Sequence, residues 1–179
     1  MDRFVALLRG INVGGHNKVS MADLRAVGEG LGWSDVSTYI QSGNLIFGAA
    51  GKVDALESAL EAALAERFGV AVAVIARTAP QWAGHVASNP FPEAAEAEPN
   101  RLMLCLAKKT PRADCDAALQ EKARDGEKVR LVGATLWIHY PARAGQSRLS
   151  PSLIDRLVGS PVTARNVRTA LKLEAMLAA

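Results

Sequence analysis

The order of residue patterns along this chain constrains its fold more than any single motif does. "FVALLRGI" is a short apolar run suited to a buried strand. "SMADLRAVGEGLG" follows, with a Ser20/Asp23 capping box and Met21, Leu24, Val27 and Leu31 at helical spacing. "VSTYIQ" and "NLIFG" are β-rich runs separated by Ser42-Gly43, a hairpin signal. "VDALESALEAALAERFG" reads as an amphipathic helix closed by Gly69, and "VAVAVIAR" as a further strand. Residues 1–79 therefore read β-α-β-β-α-β.

All eight prolines lie after Ala79, which marks a boundary. A connector over 80–100 contains "QWAGHVASNPFPEAAEAEPN", with a short helix near Gln81 to Ala87. The earlier order then returns: "RLMLCLA" as a strand, "RADCDAALQEKARDG" as a helix, and "KVRLVGATLWIHY" as a hairpin turning near Gly133-Ala134. "SPSLIDRLVG" reads as a helix, "PVTAR" as a strand and "NVRTALKLEAMLAA" as a terminal helix. The expected fold is α+β: two ferredoxin-like halves, 1–79 and 101–179, related by internal duplication, with an extra C-terminal helix. In such a sheet strand one runs antiparallel beside strand three. The loop after Arg9 should then lie beside the Gln41-Ser42-Gly43-Asn44 turn.

A chain of 179 residues, 49% apolar, can fill a core. No stretch approaches the roughly 20 apolar residues of a membrane span, and the N-terminus lacks a secretory pattern, so a cytoplasmic location away from membranes is expected. Cys105 and Cys115 lack a metal-ligand pattern and His16, His85 and His139 are scattered, so neither a disulfide nor a metal site is expected. Cys105, in "LMLCLA", reads as an inert core thiol, and His139, in "LWIHYP", as a satisfied strand histidine. No motif pairs a nucleophile with a base, and no cofactor is indicated, so the residues assign no reaction.

Polar chemistry gathers in "RGINVGGHNKVSMADLR". Gly10, Gly14 and Gly15 allow positive φ or close approach of a ligand, Lys18 can neutralise an anion, and the helix after Ser20 offers its positive end. The string is not a Walker A loop, because Val19 follows Lys18 where Ser or Thr is needed. The same residues also suit a plain turn, with Asn12 and Asn17 satisfying local backbone. In "QSGN", Gln41, Ser42 and Asn44 can add donors and acceptors to whatever that loop holds, while Gly43 makes the turn.

In the group Arg165, Asn166, Arg168, Thr169 and Lys172, Asn166 can cap the last helix and Arg168 and Lys172 share a helical face, which reads first as an exposed basic surface. A second anion site is the alternative. Residues 80–179 carry fourteen basic and ten acidic side chains against seven and eight in 1–79, a bias suited to an anionic partner. Strands one and three lack the aromatic signatures of an RNA-recognition motif.

Taken together, "LLRGINVGGHNKVSMADLR", "YIQSGN" followed by "LIF", "SRLSPSLIDRL" and "TARNVRTALKL" resemble the bacterial family known as domain of unknown function 1697. The resemblance covers essentially the whole chain and implies a compact bacterial α/β protein without naming a substrate. Its motif positions fall on Arg9, Gly10, Asn12, Gly14, Gly15, Gln41, Ser42, Gly43 and Asn44. A family pattern Thr-Thr-Arg-Asn-Trp-Asn-Thr corresponds to Thr163 through Thr169, with Val167 and Arg168 at the Trp and second Asn positions. The leading functional expectation is binding of a phosphate-bearing small molecule at Arg9, Gly10, Asn12, Gly14, Gly15, Lys18, Gln41, Ser42, Gly43 and Asn44. The alternatives are phosphoryl or nucleotidyl chemistry in the same pocket, and nucleic-acid binding through the basic C-terminal half.

Overall fold

β1 (Asp2–Leu8) is apolar from Phe4 onward, and because both faces of this stretch are covered, Phe4 through Leu8 are all buried. In the computed structural model, which describes residues 1–179, it is followed by α1 (Met21–Gly30), β2 (Ser34–Thr38), β3 (Asn44–Ala49), α2 (Val53–Phe68) and β4 (Val74–Thr78). The four strands form one antiparallel sheet in the order β2-β3-β1-β4. Phe4, Ala6 and Leu8, with Leu45 and Phe47 of β3, pack in one core with Leu24 and Val27 of α1 and Leu60 and Leu64 of α2. Phe47 is stacked by Phe4 and by Trp33, with ring centroids 5.6 and 3.8 Å away. Val5, Leu7, Ile46 and Ile75 alternate with these and are also fully buried.

Local signals set the helix ends. The Ser20 hydroxyl accepts the Asp23 N–H at 3.0 Å and donates to the Asp23 carboxylate at 2.7 Å, fixing the start of α1. Gly69 takes a left-handed φ of 65° and closes α2.

The second unit repeats the sequence of elements: β5 (Leu102–Ala107), α5 (Cys115–Lys122), β6 (Lys128–Val132), β7 (Thr135–His139), α6 (Pro151–Val158) and β8 (Val162–Asn166). Its antiparallel sheet has the order β6-β7-β5-β8. Cys105, Cys115, Leu119, Leu136, Ile138 and Ile154 are among its core residues. α7 (Val167–Ala178) follows β8 without a loop, and the Asn166 side chain accepts the Thr169 N–H at 2.9 Å. The fold is thus α+β, with two four-stranded antiparallel sheets and seven helices. No helix is long and apolar enough to cross a membrane.

By packing, the compact units are Met1–Trp82 with Leu173–Ala179, and Ala83–Lys172. Within 80–100 the expected short helix is α3 (Ala79–Ala87), a second helix, α4 (Pro92–Ala97), follows it, and the segment is bonded to β7. Thr135, Trp137 and His139, alternate residues on one face of that strand, bond His85 at 2.6 Å, Ser88 at 3.1 Å and Glu98 at 2.8 Å respectively. In the first unit Arg3 Nη2 donates to the Met176 carbonyl at 3.1 Å, which ties the end of the chain to β1. α5 is shorter than "RADCDAALQEKARDG" suggests, because the Glu127 carboxylate takes the Arg124 and Asp125 N–H groups and draws the chain out of the helix.

Both cysteines are buried and unpaired. Burial pushes the Cys105 thiol up to about 12. A disulfide reagent at pH 8 should therefore leave both thiols of the folded protein unmodified and label both in denaturant. Labelling of Cys105 in the native protein would contradict this packing.

Candidate functional site

Antiparallel pairing of β1 with β3 sets Leu7 opposite Asn44, so the chain leaving β1 meets the chain entering β3. Leu8 N–H donates to the Gly43 carbonyl at 2.9 Å and Arg9 N–H to Ala73 at 3.0 Å. Beyond them the glycine-rich segment folds as a miniature hairpin. His16 N–H donates to Val13 at 3.0 Å across Gly14 and Gly15, whose φ values of 58° and 79° give the turn its mirror-image twist. Asn17 closes the base by accepting the Asn12 N–H on its carbonyl and donating its side-chain amide to the Gly10 carbonyl, both at 3.2 Å.

Asn12 joins this hairpin to the neighbouring turn. Its Oδ1 accepts the Val19 N–H at 3.0 Å, and its Nδ2 donates to the Val19 carbonyl at 2.9 Å and to the Gln41 carbonyl at 2.8 Å. One side chain thereby completes the main-chain bonding of Val19 as a strand would and anchors the loop to a segment 29 residues away. The turn is wider than a two-residue hairpin, because β2 ends at Thr38 and Tyr39–Gly43 lie outside the strands. Ile40 is held at φ 51°, an uncommon conformation for a β-branched side chain. Asn44, fully buried, donates to the Tyr39 carbonyl at 2.8 Å and to the Ser42 hydroxyl at 3.1 Å.

The expected residues thus separate by environment. Asn12 and Asn44 have their amides engaged with the protein's own backbone. Gly43, at φ 81°, lies where a Cβ would come within 2.7 Å of Ile11 Cδ1 and 2.9 Å of Leu8 Cβ, so the contact between loop and turn requires glycine. Arg9 and Ser42 are half-buried, while Gly10, Gly14, Gly15, Lys18 and Gln41 are exposed. Neither Arg9–Val19 nor Tyr39–Asn44 contains an acidic residue, and Arg9, His16 and Lys18 stand in the first.

The C-terminal group divides differently. Arg165 is buried, with Nη1 donating to Thr163 Oγ1 at 2.9 Å and to the Ala164 carbonyl at 2.8 Å, and burial draws its guanidinium down to about 10. Asn166 and Thr169 form the cap of α7, whereas Arg168 and Lys172 are exposed on that helix.

Sequence reasoning missed the pairing of His139 with Glu98. The hydrogen bond from His139 holds the Glu98 carboxyl below its usual value; partial desolvation opposes this and Arg101, at 2.9 Å, adds to it. Alternation of Thr135, Trp137 and His139 in "TLWIH" signals a covered polar face, but nothing local nominates Glu98 as the partner. A cavity of about 150 Å³ is lined by Glu127, Tyr140, Arg143 and Ser147. There Ser147 donates to Glu127 and accepts the Leu149 N–H at 3.1 Å.

The fold and loop geometry define an α+β protein with a glycine hairpin braced against the turn before its third strand. Residues 1–137 match the family model described as a protein of unknown function, DUF1697, and the chain belongs to that family. It is similar to the solved structure of the conserved bacterial protein SP0830 from Streptococcus pneumoniae, with 25% identity and a TM-score of 0.75 over 98% of each chain. No curated protein matches this chain significantly.

Replacing Gly43 with Ala should lower stability by about 3 kcal/mol, through left-handed backbone strain and collision with Ile11 and Leu8. The same change at Gly133, φ 58° but in open space, should cost about 1 kcal/mol. Urea titrations of the two variants measure the difference, and equal losses would contradict the close approach.

Proposed function

We propose that the tip of the first loop binds a phosphate-bearing small molecule, with the Gly14 and Gly15 backbone and the Lys18 ammonium as its principal contacts. The observation that carries this reading is the hydrogen bond from Asn12 to the Gln41 carbonyl, which holds an exposed glycine hairpin without acidic residues against the main chain of the neighbouring turn, where Gln41 is exposed. An anion needs donors and positive charge fixed before it arrives, because ordering a mobile loop would offset much of the contact energy. Asn12 and Asn44 act by holding that shape, Gly43 by admitting the loop next to the turn, and Gln41 and Ser42 by bordering the ligand. Arg9 contributes positive charge at the base, where Gly10 begins the hairpin.

The same proposal treats the units as ferredoxin-like halves related by duplication, of which one acquired the site. Their sheet orders, β2-β3-β1-β4 and β6-β7-β5-β8, support this. So does a repeated Ala-Arg pair at the end of the last strand of each. Arg77 lies opposite Val5 and Arg165 opposite Leu104, and each donates to the preceding alanine carbonyl, at 2.6 and 2.8 Å. Thr78 and Asn166 next accept the N–H three residues ahead, at 3.3 and 2.9 Å. The connection between β5 and α5, "KKTPRAD", has no glycine, so the hairpin belongs to the first half alone. A cytoplasmic setting goes with this reading and is supported by the two unpaired thiols.

Calorimetric titration with inorganic phosphate, ribose 5-phosphate and adenosine monophosphate at fixed ionic strength tests the site. Lys18→Ala should weaken binding about five- to tenfold, as loss of one charge-assisted contact does. Unchanged affinity in both Lys18→Ala and Gln41→Ala would refute binding at this tip.

A further inference from the structure

A groove of about 440 Å³ in the second unit is bordered by Pro90, Phe91, Glu93, Glu98, Lys128 and His139. It shares no residue with the glycine hairpin. His139 has a defined orientation there: Nε2 is 2.8 Å from Glu98 Oε2, while Glu98 Oε1 is 2.9 Å from Arg101 Nη1, which in turn donates to the Pro141 carbonyl at 2.7 Å. With Nε2 donating to the carboxylate, Nδ1 is the nitrogen left for a ligand, an acceptor in the neutral ring and a donor in the protonated one. Lys128 is directly opposite His139 across the β6–β7 pair, close enough for the two side chains to address one ligand group. Arg101 already balances the Glu98 charge, so Lys128 is the cation of the groove without a hydrogen-bonded acid, and Glu93 on α4 is the second acid in its lining.

A structural tie between α4 and β7 would need only Nε2 of the imidazole. Placing the ring at an open groove beside an ammonium adds a second capacity. A phosphate monoester fits both neighbours in either protonation arrangement: as a monoanion its P–OH donates to Nδ1, and as a dianion it accepts from a protonated ring, while Lys128 contacts another oxygen in each case. A carboxylate meets the pair only when the ring is protonated. Phe91 and the prolines beside it offer an apolar wall for the remainder of such a molecule.

We propose that this groove is a second ligand site, which takes a small phosphate monoester with an apolar or aromatic body and seats its phosphate between Lys128 and His139. Phenyl phosphate is the probe, titrated into the full-length protein while the histidine ring nitrogens are followed by NMR. The His139 resonances, identified by their loss in His139→Gln, should shift and saturate. Lys128→Met, at an exposed position, should weaken this titration about tenfold, Glu93→Gln should tighten it two- to threefold, and Lys18→Ala should leave it unchanged. Benzylamine, of similar shape and opposite charge, should not compete. Static His139 resonances, equal affinity in Lys128→Met, or preference for benzylamine would each overturn the assignment. Loss of the His139 response in Lys18→Ala would overturn its independence from the first loop.

Discussion

Pairing of β1 with β3 is the constraint on which the first unit's candidate site depends. The register Leu7 to Asn44 delivers two loops to the same edge, and the hydrogen bond from Leu8 to Gly43 draws them into contact. That contact is closer than any side chain at 43 permits, so it requires glycine there. Asn12 then converts proximity into a fixed relation by bonding Val19 on one side and Gln41 on the other. Loop, turn and sheet form one mechanical unit, while the tip of the hairpin remains in solvent.

The same economy of main-chain bonding governs the sheet margins. β4, β6 and β8 are edge strands, and side chains of the adjoining helices take their N–H groups. Val74 and Ala76 donate to Glu61 and Glu57 at 2.8 and 2.7 Å, and Thr78 donates to Gln81 at 2.9 Å. Val129 and Leu131 donate to Gln120 and Asp116 at 2.8 and 2.9 Å, and Val162 to Asp155 at 3.0 Å. Bonds of this kind cover edges that would otherwise pair with another chain, and they explain why Glu57 is tolerated almost completely buried. The helices consequently do more than cover the core; they terminate the sheets.

Features with local causes were legible in the sequence. Ser20 with Asp23, Gly69 after its helix and Gly133 in its hairpin each solve a problem posed within a few residues, and each stands where its pattern places it. The meeting of the first loop with the QSGN turn was legible too, because strand order implies it. The partners of Asn12 were not, since the Gln41 carbonyl is distant in sequence and any polar neighbour could have received that amide. What holds the 80–100 segment was not legible for a related reason: its prolines and alanines name no partner, and the bonds that hold it originate on Thr135, Trp137 and His139. Arg165, cationic and near a helix start, suggests a surface charge from sequence, yet burial on β8 gives it neighbours from its own strand.

Preorganisation by Asn12 is the central claim about the hairpin, and backbone amide NMR tests it most directly. Adding inorganic phosphate to the wild-type protein should move the Gly14 and Gly15 amide resonances to a saturable limit. In Asn12→Ala, with Lys18 intact, the same residues should respond only at about tenfold higher phosphate, reflecting the cost of ordering the loop. Glycine resonances that do not respond, or an Asn12→Ala titration identical to wild type, would contradict the claim.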